Sequence, residues 1–267
     1  MTVFGLLRVR NETRWILGCI QRILPVCERV FVFDDGSEDG TPDVCESLGD
    51  RVTVIRSPFR DRGEGLDEKR DKEVLLQRVM GCVSDVHLRG NPRSPFWALA
   101  LDADEWLDPS AHDVIRKTLP DTPHHAFSVP IRFLWDSDLS LIDKPNHRRV
   151  RVDGVYRRFA DIGRPSLFRL FNAAFRYQAT PWGGNFHCSS IPQELLHAAA
   201  HIPIQAPCFH TGYNDKADRI RKWEFYNRVD PNNSVEDCYR HVCQGDVSHI
   251  PPDMRLKHAG PMAFEMM

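Results

Sequence analysis

Three carboxylates stand close together after an apolar stretch in the first half of the chain. The stretch FWALAL, residues 96–101, runs directly into Asp102, Asp104 and Glu105, and no Lys or Arg follows before Arg116. Like charges this close repel one another unless a cation or hydrogen-bond donors compensate them, and hard divalent cations prefer oxygen ligands. The spacing therefore predicts a bound divalent metal, with a strand end and a turn as the alternative interpretation.

A second acidic segment, DDGSEDGT at 34–41, follows the apolar stretch 29–33. A carboxylate at the end of a strand can accept hydrogen bonds from a base N–H or from ribose hydroxyls. A turn with a helix cap is the alternative, and it accounts for Ser37 and Asp39 but not for both leading aspartates. The segment is therefore a candidate nucleotide-binding loop.

The segments around both motifs alternate between predicted strands and helices. Apolar runs and helical spacing predict strands at 3–9, 29–33, 52–55 and 96–101, and helices at 15–24, 41–48 and 66–86. This alternation predicts an α/β fold with a mostly parallel sheet, which binds ligands at the carboxyl ends of its strands. Both acidic segments follow such ends.

The pattern changes from about residue 127 onward. Shorter extended pieces are predicted at 127–134, 150–156 and 166–171, a loop at 182–187, and helices at 191–201 and 217–228. We expect a nucleotide-binding half, 1–125, and a smaller mixed α+β acceptor-side half, 126–267, within one continuous domain. The tail from Gly245 to Met267 is expected either to cover the site or to form a poorly ordered end.

Composition excludes several classes of protein. The chain has 267 residues, is 42% hydrophobic and carries a formal net charge of -2, so no overall field attracts nucleic acid or an anionic membrane. No stretch is long and apolar enough to cross a bilayer, and the N-terminus does not resemble a signal peptide, so a cytoplasmic location is expected. The eight cysteines show no paired spacing, which predicts no disulfide framework. Packing is favoured over a zinc site at Cys238, His241, Cys243 and His249.

The first strand–helix turn lacks the glycines of a phosphate-binding loop. It reads Arg8-Val9-Arg10-Asn11-Glu12, and no GxxxxGK[ST] motif occurs elsewhere. A dinucleotide dehydrogenase and a P-loop NTPase are therefore disfavoured. A metal held at the end of the fourth strand could bridge a diphosphate instead.

The pairing of DDGSEDGT with LALDADEW at 99–106 resembles the nucleotide-sugar-binding half of glycosyltransferase family 2, which has the GT-A fold. The resemblance covers roughly residues 3–110. It implies that Asp35 recognises the nucleobase with support from Asp34, and that Asp102 and Asp104 form a DxD motif. Asp104 would be the most direct ligand of Mg2+ or Mn2+, with Glu105 as a secondary candidate.

The second half resembles, more loosely, the bacterial branch of this family whose donor motif reads LDADE. The similar segments are FRLF at 168–171, NFH at 185–187 and CFHTGY at 208–213, which is followed by Lys216, Arg219, Lys222 and Tyr226. Members of that branch often have a Glu after the first histidine, whereas Cys188 follows His187 here. The resemblance implies that His210 completes the metal site or contacts the diphosphate; a structural histidine is the alternative.

The function implied is transfer of a sugar, hexosyl or related, from a nucleoside diphosphate sugar to a saccharide, lipid-linked or small-molecule acceptor, with inversion. Such a reaction needs a base, and the candidates in the second half are Glu194, His187 and Asp215, each of which could instead be a surface or capping residue. The metal ligands expected are Asp104, His210 and Asp102. The nucleotide-binding residues expected are Arg8, Arg10, Asn11, Glu12, Asp34, Asp35, Arg70, Asp102 and Ala103.

Two other functions use the same carboxylates. One is a metal-dependent phosphatase or nucleotidyltransferase that acts on sugar phosphates, and the other is a non-catalytic nucleotide-binding protein of the same fold. A basic group could bind an anionic acceptor, although a solvated loop is favoured and the few aromatics make it a poor nucleic-acid platform. Its members are His147, Arg148, Arg149, Arg151, Arg157 and Arg158.

Overall fold

A nine-stranded mixed sheet organises the part of the chain that the computed structural model describes. The described residues are 1–89, 95–134, 140–141, 149–152, 155–158, 160–170, 182, 186–196, 199–201, 208–232, 239, 242 and 256–257. Eight strands follow one another in the order β3-β2-β1-β4-β10-β6-β12-β5, and β11 pairs with β6 beside this path. The chain therefore forms one sheet across the boundary expected at residues 125–126.

The first half confirms the predicted alternation of strands and helices. The elements are β1 (Thr2–Val9), α1 (Thr13–Ile23), β2 (Arg29–Asp34), α2 (Thr41–Glu46), β3 (Val52–Arg56), a 3-10 turn (Arg60–Arg62), α3 (Glu68–Arg89) and β4 (Phe96–Leu101). Strands β3, β2, β1 and β4 are parallel neighbours. The predicted α/β fold class is thus confirmed, and β1 lies between the two strands that carry the acidic segments.

The core lies on both faces of this sheet because successive strand residues point to opposite sides. On one face, Val30 and Val32 of β2 belong to the same apolar cluster as the buried side of α1. On the other face, Phe31 and Phe33 belong to the cluster that contains Leu75 and Val79 of α3. Helices on opposite faces leave the carboxyl edge of the sheet open for the loops that follow β1, β2 and β4.

The second half extends the same sheet with mixed pairing. Its elements are β5 (Glu105–Leu107), α4 (Ser110–Thr118), β6 (Ala126–Phe133), β7 (Ser140–Leu141), β8 (Arg149–Val152), β9 (Val155–Arg158), β10 (Ala160–Arg169), α5 (Gln193–Leu196), β11 (Ala200–His201), β12 (Cys208–His210), α6 (Lys216–Val229) and β13 (Leu256–Lys257). Strand β10 is antiparallel to β4 and β6, and β12 is antiparallel to β5. As a result, β10 lies beside β4, and β12 lies beside β5, the strand that begins within the acidic segment.

Two predictions for the second half are wrong. The helix expected at 191–201 is confined to Gln193–Leu196, because Ala200 and His201 instead pair with β6. The single strand expected at 150–156 is a hairpin of β8 and β9. The dipeptide Asp153-Gly154 between these strands is a strong hairpin signal that the prediction did not use.

Several other sequence-based expectations fall largely outside the described residues. The alternative zinc ligands Cys238, His241, Cys243 and His249 lie there, as does the tail apart from β13, which pairs with β7. Six cysteines in the described part are free thiols. Among the described helices, none combines the length and the apolar composition that crossing a membrane requires.

Candidate active site

An open cavity of about 510 Å³ lies at the carboxyl edge of the sheet. Arg8 comes from the end of β1, Asp102 directly follows β4, and Arg164 comes from β10. The second half supplies most of the remaining lining, with the side chains of Phe133, His187, Cys188, Ser190, His210, Tyr213, Tyr226 and Tyr239. The cavity therefore joins the acidic edge predicted from the first half to a wall with several aromatic rings from the second.

Asp35 is fully buried and bonded to two arginines. Its Oδ2 accepts hydrogen bonds from Arg8 Nη2 at 2.6 Å and from Arg60 Nη2 at 2.7 Å, and its Oδ1 accepts one from Arg60 Nε at 2.9 Å. A base N–H that binds this carboxylate would have to share it with the guanidinium groups or replace one of them. Arg60 was not among the predicted site residues.

Arg8 and Arg70 both bind Asp71, a further buried residue that the sequence reasoning missed. Arg8 Nε donates to one Asp71 oxygen at 2.9 Å, and Arg70 donates to the other at 3.0 and 3.1 Å. Arg70 also lies over the Phe59 ring, with its guanidinium carbon 3.8 Å from the centroid. The structure thus places Arg8, Asp35 and Arg70 in one network, as expected for residues of a common site.

Asp34 and Asn11 shape the loops at this edge. Asp34 Oδ2 accepts a hydrogen bond from the backbone of Ser37 at 3.2 Å, while Oδ1 is buried with no partner among the described residues. Asn11 has a positive φ of 55°, donates its backbone N–H to Ser37 Oγ and accepts from the backbone of Glu38. Asparagine tolerates this left-handed conformation better than most residues. Arg10, which precedes it, is half-buried.

Glu12 lies close enough to Asp104 and Asp102 for their negative charges to affect its pKa. Burial, and then the charge of Asp104, raise the pKa of Glu12 to about 8. Its backbone N–H donates to Thr41 Oγ1 at 2.8 Å, which ties the start of α1 to the start of α2. The residue expected to bind the nucleotide is thus largely a protonated carboxylic acid at neutral pH.

Replacing Glu12 with Gln is expected to flatten the dependence of stability on pH. Because the pKa of Glu12 rises from 4.5 to about 8 on folding, the native state keeps a proton that the unfolded chain releases. This contribution is complete below the unfolded pKa and is lost as the pH rises toward 8. Urea unfolding at about pH 5 and about pH 8 should show a smaller decrease in unfolding free energy for the variant. Equal decreases in the two proteins would contradict this prediction.

Arg164 compensates Asp102 and Glu105. Its Nη1 donates to Asp102 Oδ2 at 2.9 Å and also contacts Glu105 Oε1, while its Nε donates to Ser190 Oγ at 2.8 Å. The Asp102 side chain is half-exposed, and its partial desolvation opposes ionisation, but the charge of Arg164 lowers the pKa of that carboxyl below its usual range. Burial raises the pKa of Glu105 to about 7 although Arg164 acts in the opposite direction. Glu105 also accepts the backbone N–H of Asp102 at 2.9 Å.

Lys222 compensates Asp104. The Lys222 Nζ contacts Asp104 Oδ2, and His210 Nε2 lies 3.6 Å from the same oxygen. Burial alone would raise the pKa of Asp104, but its interactions with His210 and Lys222 lower it, and of these two groups only Lys222 is charged at neutral pH. Burial lowers the pKa of His210 to about 4, so at neutral pH the imidazole is uncharged and Lys222 holds Asp104 ionised. Cations of the chain itself therefore compensate these carboxylates, so their spacing does not by itself require a metal.

The backbone at Gly212 packs directly against this ion pair. A Cβ added there would overlap Asp104 Oδ2 and would lie 2.5 Å from Lys222 Nζ. Gly212 follows Thr211, whose backbone N–H and hydroxyl both donate to the carbonyl of Asp104, at 2.7 and 2.9 Å. The segment after β12 thus fixes Asp104 through its main chain and leaves no room for a side chain beside the carboxylate.

Gly212→Ala is expected to lower the free energy of unfolding by about 1–3 kcal/mol, the usual cost of overpacking a buried site. Gly81→Ala is the matched control, because a Cβ at Gly81 on α3 meets nothing within 4 Å. That change should stabilise the protein by up to about 1 kcal/mol through helix propensity. Thermal or chemical unfolding of both variants measures the difference; a Gly212→Ala protein as stable as the wild type would show that the contact relaxes without cost.

The donor atoms around Asp104 suit a divalent metal. Carboxylate oxygens bind Mg2+ and Mn2+, and a neutral imidazole is a common metal ligand. His210 Nδ1 is buried without a hydrogen-bond partner in the described part of the chain, and the His210 ring contacts the rings of Phe133 and Tyr213. However, no group of three or more His, Cys, Asp or Glu residues in the described part is arranged to hold an ion. Asp102 is paired with Arg164 and Asp104 with Lys222, so binding of a metal at these carboxylates stays a prediction.

The three candidate bases lie in different environments. His187 lines the cavity and has its ring centroid 5.2 Å from that of Tyr226. Asp215 is the N-cap of α6, where it accepts the backbone N–H of Ala217 at 2.6 Å, and it lies 3.6 Å from an Arg14 nitrogen. Glu194 is exposed on α5. The structure brings only His187 of these three to the cavity lining, and Asp215 has the capping position given as its alternative.

Ala103 is buried in the apolar core, so its side chain belongs to the packing of the first half. The sequence analysis gave no role in the site to two cations that lie far along the chain from the acidic segment. Arg164 lies 62 positions from Asp102, and Lys222 lies 118 positions from Asp104. Arg164-Pro165 interrupts β10 with register shifts on both sides of the dipeptide, a feature that the sequence alone does not indicate.

Comparison of the sequence with models of known protein families finds a match in the first half of the chain. Residues 7–66 match the family model described as glycosyl transferase family 2. The match includes the acidic segment after β2 and confirms the resemblance seen in the sequence, while the DxD segment lies beyond the matched range. It also supports the enzyme class predicted from the sequence, a glycosyltransferase.

Solved structures with similarity to the chain include TarS and two sugar phosphoglycerate synthases. TarS residues 1–349 from S. aureus are 12% identical with a TM-score of 0.35, covering 64% of this chain and 47% of that one. Mannosyl-3-phosphoglycerate synthase from Rubrobacter xylanophilus is 20% identical with a TM-score of 0.34, covering 52% and 42%. Glucosyl-3-phosphoglycerate synthase from Mycobacterium tuberculosis, in complex with Mn2+ and UDP-glucose, is 16% identical with a TM-score of 0.31, covering 50% and 43%. The chain spans less than half the length of these structures, and no curated protein matches it.

Proposed function

We propose that the chain is a glycosyltransferase that moves a sugar from a nucleoside diphosphate donor to an acceptor bound in the open cavity. The observation that carries this proposal is the convergence of two acidic strand ends on one edge of a parallel sheet. Arg8 bonds to Asp35 and lines the cavity, and Asp102 lines it from the next strand. The family match over the first of these segments supports the same activity.

In this proposal, the network of Asp35, Arg8 and Arg60 binds the nucleoside, and the segment after β4 lies beside the diphosphate. Asp104, His210 and Asp102 would hold Mg2+ or Mn2+, which stabilises negative charge on the leaving diphosphate when bound. Arg164 and Lys72 add positive charge near Asp102 and lower its pKa. The chain's own cations are therefore placed to attract a phosphorylated donor.

His187 is the proposed base for the acceptor. It lines the cavity on the side built by the second half, and a positioned imidazole can accept the proton of an acceptor hydroxyl. The sugar would then be transferred with inversion, because a single displacement by the acceptor requires only this base. A saccharide acceptor fits the neighbouring Tyr226 and Tyr239 rings, which can pack against the apolar face of a sugar.

A donor screen tests this function. The protein is incubated with UDP-, GDP- and dTDP-sugars in the presence of Mn2+ or Mg2+, and release of nucleoside diphosphate is measured with and without candidate acceptors. The proposal predicts acceptor-stimulated release from at least one donor, together with a glycoside product. Phosphate release or nucleotide transfer without a glycoside would instead indicate the phosphatase or nucleotidyltransferase alternative.

A further inference from the structure

Lys222 forms an ion pair with Asp104, the carboxylate that the predicted metal would need as a ligand. Its Nζ contacts Asp104 Oδ2, the same oxygen that lies 3.6 Å from His210 Nε2. The lysine side chain is about one-quarter exposed and the aspartate almost fully buried. The contact is therefore a largely desolvated ion pair within the proposed metal site, a setting in which an uncompensated charge is costly.

We infer that Lys222 is a built-in counter-ion of this site and that a divalent metal binds Asp104 only when the Lys222 ammonium withdraws. The inference rests on the metal site of the proposed function. It assigns to Lys222 a positioning role: the residue holds Asp104 in place before the metal arrives and sets how tightly the metal binds.

The balance of charge supports an exchange of one cation for another. Asp102 and Asp104 are already paired with Arg164 and Lys222. A divalent ion added beside both cations would leave excess positive charge next to the buried Asp104. Withdrawal of Lys222 reduces that excess, whereas Arg164 stays bonded to both Glu105 and Ser190.

The packing supports the same exchange. A Cβ on Gly212 would overlap Asp104 Oδ2 and come within 2.5 Å of Lys222 Nζ, so the main chain closes this side of the ion pair. The Lys222 Nζ also lies 5.6 Å from the centroid of Tyr213, a ring that lines the cavity. A flexible lysine stem can move the ammonium toward this open side, where a phosphate of the donor can receive it.

Binding of Mn2+ alone, measured by calorimetry or by the electron paramagnetic resonance signal of free Mn2+, tests the inference. The apparent affinity falls with the fraction of molecules in which Asp104 is free of Lys222, so Lys222→Met should lower the dissociation constant by about tenfold or more. Lys222→Arg keeps the charge and should not tighten binding. Arg221→Met removes a charge from the exposed part of the same helix, where Arg221 pairs with Asp218, and should change binding less than about twofold.

A dissociation constant for Lys222→Met that equals or exceeds the wild-type value would overturn the inference. So would an absence of Mn2+ binding in both proteins; binding of a nucleoside diphosphate without metal would then still leave the glycosyltransferase proposal standing. Circular dichroism establishes that each variant is folded.

Reductive methylation of the wild-type protein gives a readout that does not depend on any variant. Mass spectrometry should show that adding Mg2+ increases methylation at Lys222, because the released amine becomes accessible. Lys216 on the same helix is exposed and serves as the reference. If Mg2+ binds while methylation at Lys222 stays unchanged, the metal does not displace the lysine.

Discussion

Asp104→Asn is expected to reduce sugar transfer by about a hundredfold or more, the scale of loss when a metal ligand or its support is removed. Asparagine keeps the shape of the side chain but removes the negative charge that both a metal and Lys222 use. The backbone contacts from Thr211 to the Asp104 carbonyl do not involve the carboxylate, so the loop after β4 should keep its position. Initial rates with the donor found in the screen measure the effect.

Asp113→Asn is the matched control for this change. Asp113 lies on α4, about three-quarters exposed, in a surface ion pair with Arg116. The Asp113→Asn variant loses the same charge at a distance from the cavity, so its rate of sugar transfer should stay close to that of the wild type. An Asp104→Asn protein that is folded and as active as the control would remove Asp104 from the catalytic machinery.

Arg164→Met is expected to lower the free energy of unfolding at neutral pH by about 1–3 kcal/mol, the usual cost of leaving a buried polar group without its hydrogen-bond partner. The main cause is Glu105, which is completely buried and would lose its cation. Asp102 is half-exposed, so in the variant water can solvate the part of its charge that Arg164 compensates in the wild type. Methionine keeps much of the aliphatic volume, so the charge rather than the packing dominates the effect.

The loss from Arg164→Met should depend on pH in a defined direction. Burial already raises the pKa of Glu105 to about 7, and removal of Arg164 raises it further because the cation favours the ionised form. Below about pH 6, Glu105 is protonated in both native proteins and the difference between them shrinks. Above pH 7, the variant must bury an unpaired carboxylate or keep a proton that the unfolded chain releases, so the difference grows.

Guanidinium unfolding at about pH 5.5 and about pH 8 measures this difference, with Arg116→Met as the control. Arg116 is about half-exposed and its ion pair with Asp113 is a surface contact, so its loss should cost less than about 1 kcal/mol at both pH values. A cost for Arg164→Met as small as that of the control would show that Glu105 does not depend on Arg164.

The first half of the fold could be predicted from the sequence because its signals are local. Apolar runs of five to eight residues became β1, β2, β3 and β4 within a residue or two of the expected bounds. The parallel order then followed from the alternation with helices, and with it the placement of both acidic segments at one edge. Asp102 accordingly lines the cavity, and Asp35 is bonded to a residue that does.

The compensation of the acidic segments could not be predicted in the same way. Arg164 and Lys222 reach Asp102 and Asp104 from β10 and α6, and nothing within a local window of sequence indicates that these elements meet. A search for neighbouring cations stops at Arg116, which instead pairs with Asp113 on the surface. The hairpin of β8 and β9 and the strand β11 were missed for a related reason, since pairing between strands overrides weak local preference.

Calorimetric titration of the protein with UDP, GDP and dTDP, with and without Mn2+, tests the central claim most directly. The claim is that a nucleoside diphosphate lies between the Asp35 network and the segment that contains Asp104. The account predicts that at least one nucleotide binds, that Mn2+ strengthens this binding, and that Asp104→Asn abolishes the strengthening by Mn2+. Absence of binding by all three nucleotides, with the protein folded, would contradict it.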